Sequence, residues 1–111
     1  MQTIDFCDFQ RIDLRAGTII KVENFEKAKK PAYKLWIDLG ELGIKKSSAQ
    51  ITTNYLPENL IGRQVLCVCN FSPKQIANFI SEVLVTGFED ENGGIILSTI
   101  EKKVPNGAKL F

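Results

Sequence analysis

A chain of 111 residues, 44% hydrophobic and 24% charged, has the size and composition of one globular domain spanning 1–111, with a core that needs neither metals nor disulfides. The formal net charge of +1 gives no bulk field for nucleic acid or membrane, so any basic site has to be local. The absence of histidine excludes His-based acid–base catalysis, Ser-His and Cys-His pairs, and His metal ligands.

The N-terminal stretch "MQTIDFCDFQRIDL" carries acids and no apolar run, so it does not read as a signal peptide. No apolar stretch approaches the roughly 20 residues of a membrane span. The expectation is a soluble, cytoplasmic protein with no membrane insertion. Within this stretch, "IDFCDFQRI" (4–12) suits a short helix capped by Thr3, with Phe6, Phe9 and Ile12 on one side.

Period-2 alternation begins at "LRAGTIIKV" (14–22), with Leu14, Ala16, Thr18, Ile20 and Val22 on one face. It recurs where Tyr33, Leu35, Ile37 and Leu39 alternate with Lys34, Trp36 and Asp38. "IKKSSAQI" (44–51) is a more polar strand, and "TTNYLPENLIG" (52–62) predicts helical turns broken at Pro57 and closed at Gly62. "QVLCVCN" (64–70) is apolar enough to be covered on both faces. The segment "NFSPKQIANFISE" (70–82) lacks the glycine or asparagine pair of a tight hairpin and predicts one helical turn from Pro73. "SEVLVTGF" (81–88), "GIILST" (94–99) and a short strand near "AKLF" complete the chain. Five or six short strands favour a small closed or partly open barrel. The leading architecture is all-β, a five-stranded Greek-key OB-fold barrel with short flanking helical segments; an SH3-like barrel is the alternative.

Charge is segregated along the chain. Lys27, Lys29, Lys30, Lys34, Lys45 and Lys46 face only Asp38 and Glu41 within 27–46, whereas Glu82, Glu89, Asp90 and Glu91 crowd 82–91. The lysine run reads either as a phosphate-attracting strip or as a solvated hairpin that blocks edge pairing. Trp36 and Lys34 share the face opposite Tyr33, where they can stack a base, hold an apolar side chain or pack beneath another element. Ser48 and Gln50 share one face of the polar strand, and Ser47 and Ala49 the other. They supply either local backbone hydrogen bonds or a polar floor for a ligand. Cys67 and Cys69 read as buried thiols; with Cys7 they are too few for a zinc site. Three unpaired thiols suit a reducing compartment. No G-x-S-x-G elbow, P-loop or dinucleotide glycine pattern is present, and neither catalysis nor a cofactor is expected.

The stretches "DFQRIDLRAGTIIKVENFEKAKKPAYKLWIDLG", "IKKSSAQIT", "VCNFSPKQIANFISEVLV" and "VPNGAKL" resemble, in order and over nearly the whole chain, the CsaA proteins of the tRNA-binding-domain superfamily. The resemblance implies an OB-type barrel, a homodimer, export-related chaperone activity toward peptides or preproteins, and relatives that bind tRNA by shape without catalysis. It carries a binding surface onto Lys34, Ser47, Ser48, Gln50, Asn70, Phe71, Pro73, Ser81 and Glu82. Trp36, Lys46, Lys74 and Ile80 join that candidate surface for a peptide or tRNA. Arg15 matches a family arginine and reads as a structural ion pair with Asp13 or Glu23. Two departures stand out. CsaA relatives tend to have Pro-Arg-Arg-Ile-Ala where this chain has Pro73-Lys74-Gln75-Ile76-Ala77, and a lysine where it has Ile80. The tRNA-binding branch has Ser-Gln-Gly-Met against Ser81-Glu82-Val83-Leu84 here. Fewer cations weaken a phosphate site, so the expectation leans toward a polypeptide ligand, with tRNA as the alternative.

Overall fold

The alternating segments form the strands of a nearly closed antiparallel barrel. In the computed structural model, which describes residues 1–111, β1 (Leu14–Asn24), β2 (Tyr33–Asp38) and β3 (Ile44–Ala49) make a meander. The strand β4 (Gln64–Val68) then returns beside β1, and β7 (Leu84–Val85) adds to β4, giving the order β3-β2-β1-β4-β7. A fourth strand lying beside the first is the Greek-key arrangement, and the architecture is that of an OB-like barrel with few, short helices.

Cross-strand partners in an antiparallel pair share a face. Ile19 pairs with Ile37, Val22 with Leu35, and Leu35 with Ser47; all point inward. Ile19, Leu35, Ile37, Leu39, Leu60, Val65 and Cys67 are fully buried in the core. Each aliphatic side chain of this kind contributes about 1.5–3 kcal/mol of burial. The expected alternation of β1 fails midway. A β-bulge between Ile19 and Lys21 adds one residue, and every later side chain changes face. Ile19 is buried and Ile20 is 43% exposed, as alternation requires; past the bulge Lys21 stays outward and Val22 turns toward the core.

The edges β3 and β7 are not hydrogen-bonded as strands. They are joined at one end by Ser81 to Val83. The N–H groups of Glu82 and Val83 donate to the Lys46 carbonyl (2.7 and 3.2 Å). Glu82 Oε1 accepts the Lys46 N–H at 3.1 Å, and Ser81 Oγ accepts the Ser48 N–H at 3.1 Å. This clasp explains why "SEVLVTGF" is not one strand: it is divided among β6 (Phe79–Ser81), β7 and β8 (Gly87–Glu89). β8 pairs with β9 (Ile95–Leu97) in a separate hairpin. The C-terminal strand is reduced to a bridge between Arg15 and Lys109, flanked by main-chain bonds from Ala16 to Ala108 and from Leu110 to Leu14.

The segment after Pro73 is a hairpin, not a helical turn. β5 (Lys74–Ile76) pairs with β6, Ile76 opposite Phe79, with Ala77 and Asn78 as the turn. Ala77 sits at φ 52°, a position that glycine usually takes and the reason no sequence signal marked it. Phe79 anchors this hairpin in a second cluster with Phe25 and Ala32, separate from the main core.

The first helix, α1 (Phe6–Gln10), is capped from Asp5, not Thr3: the Asp5 N–H donates to Asp8 Oδ2 at 3.2 Å. The second, α2 (Pro57–Leu60), starts at Pro57 where a break was expected, because proline suits the first helical position. Gly62 follows it at φ 89°, closing the turn as anticipated. No helix is long and apolar enough to cross a membrane.

Candidate ligand-binding face

The outward side of the β1–β2–β3 meander is set by register. Lys21, Trp36 and Lys46 form one rung, and Glu23, Lys34 and Ser48 the next. The β5–β6 hairpin lies across these rungs. The Phe79 ring meets Phe25 edge-on at 5.4 Å and Trp36 at 5.9 Å. Lys34 Nζ lies 5.0 Å from the centre of Phe25 and 5.4 Å from that of Phe79, and Lys46 Nζ lies 5.3 Å from Phe79. Lys21 Nζ sits 4.5 Å over Trp36. Such contacts stabilise a cation by roughly 0.5–2 kcal/mol. Lys34, Lys46 and Trp36 are thus partly occupied in holding the hairpin to the barrel.

Two depressions flank the hairpin. The larger, about 560 Å³, is lined by Lys27, Lys29 and Lys30 of the β1–β2 loop and Lys74 of β5, over a floor that includes Ser48 and Gln50. It has four cations and no acid. The other, about 320 Å³, lies on the opposite side of β5, where Phe71, Ile76, Val83 and Leu84 supply apolar surface beside Lys74, Ser81 and Glu82. A third hollow of about 300 Å³ shares Phe71 and Glu82 and adds Pro73, Lys45, Cys69 and Asp13. Phe71, 56% exposed, stands between these last two.

The structure brings Ser48, Gln50, Phe71, Pro73, Lys74, Ser81 and Glu82 to the walls of these hollows. Others have different places. The Ser47 side chain is fully buried, and its hydroxyl donates to the Ser48 carbonyl at 3.1 Å. Asn70 staples the N-terminal segment: Oδ1 accepts the Asp13 N–H at 2.9 Å and Nδ2 donates to the Arg11 carbonyl at 2.7 Å. Ile80 is 45% exposed and pairs across the hairpin with Gln75, so the two departures from the basic pattern form one outward patch. Arg15 Nε donates to Asp13 Oδ1 at 2.9 Å and a terminal guanidinium nitrogen to the Gly107 carbonyl at 3.0 Å, a structural role. Lys27, Lys29 and Lys30 belong to the lysine run of the sequence but not to the candidate surface read from it. Only the fold shows that the loop carrying them faces Lys74.

Burial first, and the neighbouring Asp13 charge second, push the Cys69 thiol upward, against Arg15 and Lys45. This disfavours a thiolate in the third hollow. In the β8–β9 loop, Asp90 is lowered chiefly by the hydrogen bond from Asn54 Nδ2 and by main-chain N–H donors, which makes it a turn-forming carboxylate.

Residues 14–109 match the family model described as "Putative tRNA binding domain". The chain belongs to the tRNA-binding-domain family. Among solved structures, the chaperone CsaA of Bacillus anthracis str. Ames is 49% identical with a TM-score of 0.93, covering 99% of this chain and 100% of that one. The CsaA chaperone protein of Picrophilus torridus is 47% identical with a TM-score of 0.91, covering 98% and 100%. The methionine–tRNA ligase of Methanocaldococcus jannaschii is 34% identical over 110 residues, 99% of this chain but 17% of the ligase. The chain therefore spans less than a fifth of the curated relatives it matches.

Proposed function

We propose that this member of the family is a non-catalytic, homodimeric polypeptide-binding protein of CsaA type, a cytoplasmic chaperone engaged with unfolded or exported chains. The observation that carries the reading is the likeness to two CsaA chaperones at 49% and 47% identity over their whole length. The hollows on either side of Phe71 supply the surface: apolar groups with a few polar ones, suited to one or two side chains of a client. A dimer is supported by Phe6, Phe9, Ile12, Leu110 and Phe111, which bound an apolar depression where the two termini meet. The test combines suppression of aggregation of a denatured client with calorimetry of an unfolded peptide. Phe71→Ala is expected to weaken peptide binding about tenfold, the scale of losing a ring's burial (1.4 kcal/mol). Absence of both activities in the wild-type protein refutes the reading.

A second reading, tRNA binding, is favoured by the acid-free groove of Lys27, Lys29, Lys30 and Lys74 and by the family match. Each neutralised phosphate contributes a log–log salt slope of about −0.7 to −0.9. Replacing these four lysines by alanine is expected to flatten the slope of tRNA affinity by about 3. The pair Lys34 and Lys46 is expected to change it less, because both heads already engage rings. An unchanged slope after the fourfold substitution counts against the groove.

A further inference from the structure

Beyond the clasp at Lys46, the barrel stays open. Ser48 to Ile51 form one bank of a seam of about 490 Å³, Leu84 to Gly87 the other, and Ile95 lies between them. No charged residue lines it. The first bank is the end of β3 with the two residues that follow it, and the second runs from β7 into the start of β8. The Gln50 N–H and carbonyl take part in no hydrogen bond to the rest of the chain. On the other bank, the Thr86 N–H reaches the Leu66 carbonyl of the β4 side, and Val85 stands opposite Cys67. Peptide groups alternate in direction along an antiparallel strand, so Leu84 turns its own toward β4, as does the Thr86 N–H, while the Thr86 carbonyl accepts the Ser98 N–H; Val85 turns its own toward the seam. Exposed edges in soluble proteins are commonly blunted by lysine, proline or inward charges. Along β3 the clasp from Ser81 to Val83 covers this edge at Lys46 and at the Ser48 N–H. The seam half carries no such device.

We propose that an extended, uncharged segment of polypeptide binds in this seam as an added strand, pairing with the main chain at Gln50 and Val85. The inference rests on the polypeptide-binding reading and specifies its mode. Main-chain pairing supplies affinity with little demand on sequence, and every second side chain of the guest falls toward the barrel interior, where Val85 and Ile95 offer apolar surface. The seam shares Ser48 and Leu84 with the hollow beside Phe71, so a single guest runs from one into the other. Nucleic acid is disfavoured here, since the lining provides no cation for a phosphate.

The probe is a capped hexapeptide of alternating valine and threonine, titrated into isotopically labelled protein while amide exchange is followed. Binding should slow exchange at Gln50 and Val85. Gln50→Pro, which removes the N–H donor, should weaken binding at least tenfold. Gln50→Ala, which keeps the donor, should bind at least tenfold more tightly than Gln50→Pro. Peptide binding with shifts confined to the Phe71 region, or equal loss in both variants, overturns strand addition while leaving the polypeptide-binding reading intact. No binding of this peptide or of unfolded client refutes both. Protection at Gln50 and Val85 that rises with protein concentration and without peptide assigns the seam to a second copy of the chain, and also overturns the proposal. The exchange measurement on the wild-type protein decides even where Gln50→Pro fails to fold.

Discussion

Replacing Phe79 by alanine is expected to cost about 3–5 kcal/mol in the docking of the β5–β6 hairpin, the scale measured for buried aromatic truncations. The ring is 6% exposed, lies edge-on to both Phe25 and Trp36, and sits under the ammonium groups of Lys34 and Lys46. Its cluster is separate from the 12-residue main core, so the loss should be local. Amides of residues 74–81 are expected to exchange freely while β1, β2 and β4 remain protected. Uniform loss of protection would show instead that the barrel cannot hold its clasp without the hairpin. Phe79→Leu separates two contributions: it keeps apolar volume but removes the π face, and should cost about 1–2 kcal/mol from two cation–ring contacts. The functional consequence follows from β5 forming a wall of both the lysine groove and the hollow beside Phe71, so undocking should impair either ligand.

The strands facing water on one side were legible because their chemistry repeats every second residue. Lys34 and Trp36 lie outward and Tyr33, Leu35 and Ile37 inward, as the alternation requires. The bulge in β1 was not legible, because Ile19 and Ile20 are both apolar and either phase buries a comparable set. The hairpin after Pro73 was missed for a related reason. Its turn uses Ala77 at φ 52°, where a glycine or asparagine would have announced it. The energy that enforces this conformation comes from Phe79, whose burial is tertiary and leaves no local trace.

The candidate site was legible by residue type more than by role. Asn70, Ser81 and Glu82 read as ligand contacts from the family resemblance, and the structure shows their polar atoms engaged with Asp13, Arg11, Ser48 and Lys46. A polar side chain at a barrel seam can be retained for closure, for a ligand, or for both, and sequence does not distinguish these. The lysine run shows the opposite limit. Its six members divide among a groove, a ring cluster and the third hollow, because strand and loop geometry turns neighbours in sequence to different faces.

Above pH 9, the protein is expected to lose stability through one buried thiol. Cys67 is fully buried, and burial first, with the neighbouring Cys69 second, pushes its pKa from 9.0 up to about 12. The folded state therefore keeps a proton that the unfolded chain releases. Below pH 9 both states hold it and the group contributes no pH dependence. Between pH 9 and 12 the unfolded state binds one proton fewer, so unfolding becomes easier by about 1.4 kcal/mol per pH unit, or about 3 kcal/mol by pH 11. The measurement is a difference, so that contributions common to both proteins cancel. Urea unfolding of the wild type and of Cys67→Val is compared at pH 8 and pH 10.5. The substitution is close to volume-conserving and should cost less than about 1.5 kcal/mol at pH 8. The wild type should then fall relative to the variant by about 2 kcal/mol at pH 10.5. Parallel pH curves would mean that the thiolate is hydrated in the folded state, which would require water to reach the interior of the barrel beside β4.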